Sequence, residues 1–371
     1  MNDDLQKKYE KALIRRNKFK NKIISVTGTC GKTTLCNLLK KALLLNYTVE
    51  KTWNNSNSLK GIPWCINNDL SLNTEFWIIE IGIAEKGTMK LLLDLVQPNI
   101  RIITNIGIAH TLNFNNETEY QKEKMVFIEN LPENSTIIID NDNELLKNFN
   151  YQKNITVIRC GSDLKSDVIL KHYKFNSCNL TSNISIQTKK GTISFTTKII
   201  GRHFAKLICL VTACCLHLNI ELEKLIKIFE KYEHCCNRGN IIKKNEMIIF
   251  NYSYNCNPSS IEQNLILFND INSENKIIVL GDMLELNKEK EYFYHKDIYR
   301  KCLNITTNIC VYTKIFKNLV INEKLDHLFM EDDLKKIGLL IKNYVNKNKK
   351  KYFIFIQGSN TTNIDEILKT L

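Results

Sequence analysis

The sequence has no apolar run long enough to cross a bilayer. Its longest, Leu207 to Leu218, falls short of a membrane span and carries two adjacent cysteines and a histidine, so it predicts a buried helix. The first residues, Met1 to Lys22, are polar and charged, with nothing resembling a secretory leader. No two of the 13 cysteines stand as a C-x-x-C pair, and the tightest cluster, His234-Cys235-Cys236, makes poor ligand geometry. The cysteines therefore predict free thiols in a reducing cytoplasm rather than disulfides or a zinc site. A basic stripe is missing too. The formal charge is +13, but the lysines are scattered, which argues against a nucleic-acid partner. No internal repeat is visible.

What is present begins at residue 23. An apolar stretch, Ile23-Ile24-Ser25-Val26, runs into Thr27-Gly28-Thr29-Cys30-Gly31-Lys32-Thr33-Thr34. Strand, glycine loop and helix in that order make a phosphate cradle: glycines let backbone N–H groups curl round phosphate oxygens, and the helix adds its positive end. Lys32 can reach the terminal phosphates and the Thr33 hydroxyl can hold Mg²⁺. Gly28, Thr29, Cys30, Gly31, Lys32, Thr33 and Thr34 are thus the candidate ATP-binding residues. The loop is shorter than the common P-loop, with two residues between its glycines.

Apolar segments then alternate with helical patterns. Phe76–Ile81, Ile100–Thr104, Ile137–Asp140 and Thr156–Arg159 read as buried strands, and Thr33–Leu45 reads as a helix. Such alternation implies a mostly parallel sheet with its site at the carboxyl ends of the strands. Residues 165–200 switch to alternating polar and β-branched residues, the pattern of an antiparallel section. Helices over 205–218 and 222–232 follow, and the pattern breaks between Glu233 and Asn240. A second βα series then carries strands at 247–251, 276–280, 308–312 and 352–356, with helices over 259–268, 289–303 and 332–346. The expected organisation is α/β throughout: a P-loop domain with a mostly parallel sheet over 1–236, and a Rossmann-like α/β domain over 237–371.

Several further segments fall in order along the chain. They are Asn55, Asn57, Gly61 and Pro63; Glu80-Ile81-Gly82; Thr104-Asn105 to His110; Lys124 ahead of Leu131-Pro132-Glu133-Asn134; Asp142; Gly201-Arg202-His203; Ser253-Tyr254-Asn255-Cys256-Asn257-Pro258; Leu280-Gly281-Asp282-Met283-Leu284-Glu285-Leu286 with His295; and Gly358-Ser359. With the phosphate loop, this series resembles the Mur ligase family over Ile23 to Leu368. It is most similar to members that add D-alanyl-D-alanine to a UDP-N-acetylmuramoyl tripeptide.

The resemblance implies an ATP-dependent carboxylate–amine ligase working through an acyl phosphate. It casts Lys32, His110 and Lys124 as catalytic, and Arg238 as an arginine near the nucleotide. Thr33, Glu80, His110 and a carbamylated Lys124 would be magnesium ligands, with Lys122 the other candidate in that register. Asn55, Asn57, Asn255, Asn257, Asp282 and Glu285 would be substrate-side residues. ATP and Mg²⁺ are the implied cofactors, and small-molecule or peptide acids and amines the implied partners. The resemblance also implies closure of one domain on the other to exclude water.

The sequence departs from the family pattern in places. Other members carry an N-terminal domain for the UDP-sugar ahead of the loop, and this chain is expected to lack it. Phe204 and Leu207 stand where the pattern has asparagines near the adenine. Asn251-Tyr252 replaces an acidic pair, and Gln357 replaces a lysine. The expected enzyme is therefore a ligase with a non-standard acid, the alternative being a degenerate nucleotide-binding module. Asp282 also admits a second reading, as a turn cap.

Overall fold

A computed structural model describes residues 3–53, 56–109, 111–129, 131–234 and 237–371. These divide into two compact units, Met1–Tyr232 and Glu233–Leu371.

The first unit contains α1 (Asp3–Lys18), β1 (Lys22–Thr27), α2 (Lys32–Leu43), β2 (Val49–Lys51), α3 (Gly61–Asn68), β3 (Phe76–Glu80), α4 (Thr88–Val96) and β4 (Ile100–Ile103). It continues with α5 (Glu117–Met125), β5 (Thr136–Asp140), α6 (Glu144–Lys147), β6 (Thr156–Gly161), β7 (Val168–Asn176), β8 (Thr181–Thr188), β9 (Gly191–Thr197), α7 (Arg202–His217) and α8 (Leu222–Lys231). Its strands form one sheet in the order β2-β3-β1-β4-β5-β6-β7-β8-β9. Neighbours from β2 through β7 are parallel, and β7-β8-β9 is an antiparallel meander.

The parallel strands are apolar because both faces are covered. Ile23, Trp77, Ile79, Ile103, Ile137 and Ile139 face a core shared with α1, α3, α4 and α5. Alternation sends Ile24, Val26, Ile78, Ile102 and Ile138 to the opposite face, where α2 and α7 pack. The apolar run at 207–218 lies in α7, buried from Leu207 to Cys215 against α2 and the strands β5 to β7. No helix among the described residues is long and apolar enough to cross a membrane. The stretch at 165–200 is the β7–β9 meander, and α8 covers β9 through Leu222, Leu225 and Phe229.

Short elements were less legible. The polar stretch at 54–63 leads into α3, and α4, α5 and β2 lie in segments with no assigned period. All three helices are short, and α5 has polar residues nearly all round, so it shows no helical stripe.

The second unit contains β10 (Asn240–Lys244), β11 (Met247–Tyr252), α9 (Pro258–Asn269), β12 (Lys276–Leu280), α10 (Lys288–Leu303), β13 (Ile309–Val311), α11 (Lys314–Glu323), β14 (Phe329–Met330), α12 (Leu334–Asn348) and β15 (Tyr352–Gln357). The sheet order is β10-β11-β15-β12-β13-β14, parallel except at β10. One face packs on α12 and the C-terminal turns, and the other on α9 to α11 through Phe250, Phe268, Phe316 and Phe355.

Phe229 is fully buried, with its ring 5.3 Å from that of Phe195 on β9. Replacing it with alanine is expected to lower stability by about 3–5 kcal/mol, as for other buried Phe→Ala changes. Urea unfolding monitored by circular dichroism checks this, and a loss below about 1 kcal/mol would mean that α8 is not seated on β9.

Candidate active site

β1 is flanked by β3 and β4, in a register that sets Val26 opposite both Glu80 and Ile102. The loop leaving β1 therefore emerges between the ends of its two neighbours. Its shape depends on both glycines. Gly28 has φ 143°, and a Cβ there would lie 1.9 Å from the Thr104 hydroxyl oxygen at the end of β4. Gly31 has φ 80°, and a Cβ there would meet Leu207 of α7 at 2.9 Å. β4 pins the loop: the Cys30 N–H donates to Asn105 Oδ1 at 2.9 Å, and the Thr104 hydroxyl donates to the Cys30 carbonyl at 2.6 Å. α2 starts at Lys32 with no side chain capping its first turn, which leaves that end of the helix suited to an anion. Lys32 Nζ bends back onto the Gly28 and Thr29 carbonyls at 2.9 and 3.3 Å.

On the β3 side, the Thr33 hydroxyl donates to Glu80 Oε2 at 2.8 Å. Asn57 Nδ2 donates to Glu80 Oε1, also at 2.8 Å. Glu80 is 3% exposed, a carboxylate taken out of water against neutral donors. Such a group next to a helix N-terminus is a set of hard oxygens suited to Mg²⁺. No group of three or more His, Cys, Asp or Glu residues that could hold a metal ion occurs among the described residues.

Lys124 reaches the same place from α5. It is 1% exposed, its Nζ lies 3.5 Å from Thr27 Oγ1 and 5.5 Å from the Tyr120 ring, and its neighbour Lys122 is exposed. Burial holds the Lys124 amine well below its ordinary range, and the charge of Lys32 pushes it further down. A shift in that direction favours the neutral amine, which is the form that adds CO₂. Tyr120 stands one turn earlier on the same face, its hydroxyl 3.5 Å from Thr29 Oγ1. The sequence reading passed over Tyr120, and the i, i+4 spacing to Lys124 was its signal.

Asn55 and His110 lie outside the described residues, as do Cys235 and Cys236. The rest of the first unit's candidates, Gly28 to Thr34, Asn57, Glu80 and Lys124, come together around the carboxyl ends of β1, β3 and β4.

The Mur ligase middle domain family matches residues 26–215. The UDP-N-acetylmuramoyl-tripeptide–D-alanyl-D-alanine ligase of Borreliella burgdorferi is 31% identical over 386 aligned positions, covering 96% of this chain and 75% of that one. The Rickettsia prowazekii ligase of the same name is 28% identical, covering 99% of this chain and 82% of its own length. The chain belongs to the Mur ligase family. The crystal structure of the MurF ligase of Thermotoga maritima in complex with ADP superposes with a TM-score of 0.88 at 19% identity, over 100% of this chain and 84% of that one, so the fold is shared. Like other Mur ligases, the protein is an ATP-dependent enzyme that forms a C–N bond and uses Mg²⁺.

Arg238 precedes β10, and the other candidates in the second unit lie in the loops after β11 and β12, where two of them cap helices. Asn257 caps α9 in a reciprocal capping box with Ser260. Asp282, 5% exposed, accepts from the Thr313 hydroxyl at 2.6 Å and from the Ile315 and Phe316 N–H groups at 3.0 and 3.1 Å, so its carboxylate caps α11. His295 holds that same loop: its Nε2 accepts from the Met283 N–H at 2.9 Å while Nδ1 lies 2.7 Å from the Glu291 carbonyl, and burial lowers its pKa. Asn255 and Glu285 are exposed, and Glu285 takes a left-handed φ of 65°. The Arg238 guanidinium stacks on Tyr254 at 3.4 Å. Gln357, fully buried, accepts from Asn264 Nδ2 at 3.0 Å and donates to Ser260 Oγ at 3.1 Å. Asn251, equally buried, donates to Asn237 Oδ1 at 2.8 Å.

The buried Lys124 amine carries a testable penalty. In the unfolded chain it holds a proton up to its ordinary pKa of 10.5, whereas in the fold its pKa is depressed. Folding therefore releases a proton, a cost that is fully present at low pH and fades as pH rises toward 10.5. Lys124→Met removes the cost. In CO₂-free buffer the variant is expected to be more stable than wild type near pH 7. Its advantage should shrink by up to about 1.4 kcal/mol per pH unit as the buffer becomes alkaline. A pH-independent difference in urea midpoint would show that the amine is not neutral in the fold.

Proposed function

We propose that this ligase activates a carboxylic acid other than the tripeptide named for its relatives, and that the product acyl phosphate is captured by an amino acid or short peptide amine. The observation that carries the activation step is the meeting of Thr33, Glu80 and Asn57 beside an uncapped phosphate loop, with Lys124 buried next to them. The changed partners rest on Asn251 and Gln357, neutral and fully buried where the family pattern has charge.

The activation step joins two anions, ATP and the acid. Mg²⁺ held by Thr33 and Glu80 supplies neutralisation of that repulsion. Loop N–H groups of Gly28 to Thr34 bind the β- and γ-phosphates. Lys32 leaves its carbonyl contacts and follows the γ-phosphoryl group as charge builds on it. The acid's carboxylate oxygen attacks the γ-phosphorus, the bond to ADP breaks, and an acyl phosphate forms. The amine then attacks the acyl carbon and phosphate leaves, giving the amide.

Lys124 takes part as a carbamate. Its neutral amine would add CO₂ and give up one proton, leaving a carbamate whose single negative charge is shared by two oxygens. Oxygens of that kind suit a hard cation near the acid. Asn255 and Glu285, exposed on the second unit, are the proposed amine-side contacts, and Arg238 on its Tyr254 platform the proposed nucleotide contact.

The experiment is phosphate release from ATP over a panel of acids and amines in Mg²⁺ and bicarbonate. At least one pair is expected to stimulate release, and Lys32→Ala is expected to cut that rate by about 100-fold or more, the scale for losing one transition-state donor. A flat response across the panel with ATP still bound tightly would instead favour a nucleotide-binding module without ligase activity. Should ATP binding survive Lys32→Ala unchanged, the phosphate-loop reading itself fails.

A further inference from the structure

The segment that carries Lys124 is tied down at both ends by buried charges that lie outside the phosphate loop. Glu123, 6% exposed, turns away from the loop toward α4. Its Oε2 accepts from the Gly87 N–H at 2.9 Å and its Oε1 from the Met89 N–H at 2.8 Å. Gly87 is the N-cap of α4, in a left-handed conformation with no side-chain cap of its own. One carboxylate on α5 therefore supplies the cap that α4 lacks, through two charge-assisted bonds at a positive helix end.

The other tie is Arg101 on β4, 4% exposed. Its Nη1 donates to the carbonyl of Phe127 at 2.7 Å and, more weakly, to that of Glu129 at 3.4 Å. These carbonyls follow the last turn of α5. Lys124 sits between the two ties. Tyr120, Glu123 and Lys124 share one face of the helix, at i, i+3 and i+4.

We propose that Glu123 is a positioning residue for Lys124, and that Arg101 is its counterpart at the other end of the segment. The bond from Glu123 to α4 sets the depth and rotation of α5, so that the Lys124 side chain arrives beside Thr27 and over the Tyr120 ring and not out toward solvent. The need is geometric. An atom misplaced by about 1 Å near reacting groups can cost about 100-fold in rate. α5 cannot hold itself, because it is short and almost wholly polar, with little apolar surface to seat it. This inference rests on the carbamate role proposed for Lys124.

The test uses the full chain with ¹³C-bicarbonate. For Glu123→Gln, the carbamate carbon signal at Lys124 is expected to fall well below wild-type occupancy, and kcat to fall about tenfold to 100-fold. ATP affinity should stay within about twofold, because the phosphate loop is untouched, and raised bicarbonate should restore part of both losses. Arg101→Lys, which leaves Glu123 in place, should show the same pattern more weakly, and it carries the test if Glu123→Gln does not fold. Full carbamate occupancy and a kcat within twofold of wild type in a folded Glu123→Gln protein would overturn the proposal. So would a loss of kcat at full occupancy, which is the mark of general damage. If Lys124→Ala is fully active, or wild type shows no carbamate, the Lys124 reading falls and this inference with it. If Lys124→Ala is inactive while Glu123→Gln is normal, only this inference falls.

Discussion

The hydrogen bond between Thr33 and Glu80 exists only because β1 lies parallel to β3 with Val26 opposite Glu80. Thr33 is in the first turn after the phosphate loop and Glu80 is the last residue of its strand. A register shift by one residue would turn Glu80 to the other face and end the contact. The pairing of β1 with β4 is equally strict, since Thr104 fills the space where a Gly28 side chain would go. The loop is thus held by strands on both sides. Its backbone conformation is set before any nucleotide arrives, which lowers the ordering cost of binding one.

How much of this was legible depends on which force shaped each part. The loop was plain, because glycine spacing and the lysine–threonine pair answer directly to phosphate chemistry. The central strands of both sheets were plain too: a parallel strand covered on both faces must be apolar throughout, as Phe76 to Glu80 is, whereas the edge strands β2, β10 and β14 gave no such run. α5 was not visible as a helix, because its burial comes from Tyr120, Glu123 and Lys124, and two of those are ionisable. Periodicity is a test for apolar stripes and cannot find a face buried through polar bonds. Glu123 gave no signal of its own for the same reason, since its partners are backbone N–H groups of a helix 34 to 36 residues away.

The second unit shows the opposite difficulty. The resemblance casts Asn257 and Asp282 as substrate-side residues, with a turn cap as the second reading of Asp282, and in the structure their oxygens face helix N-termini. Both observations follow from one constraint. Loops at the carboxyl ends of parallel strands lead straight into helices, and each helix begins with N–H groups that need an acceptor. A polar residue in such a loop is drawn to the cap first. Asn255 and Glu285 are the candidates that remain exposed in those loops, and even there the Asn255 Oδ1 accepts from the Cys256 N–H at 2.8 Å. Glu285 also has a left-handed backbone, a conformation uncommon for a residue that is not glycine.

Lys124 raises the same question in electrostatic form. An amine buried near Lys32 cannot hold a proton cheaply, and a neutral amine buried at the mouth of an anion site adds little to binding. Neither form explains why a long polar side chain occupies the space that a methionine or leucine would fill with less cost. The carbamate proposed here does explain it. Adding CO₂ turns a neutral group into an anion, which Lys32 attracts where it would repel an ammonium. The anchoring bonds to α4 and β4 then make physical sense as well. A group whose charge changes must stay in place through both states, and the segment around Lys124 is held by contacts from Glu123 and Arg101 to backbone groups whose charge does not change when CO₂ is bound.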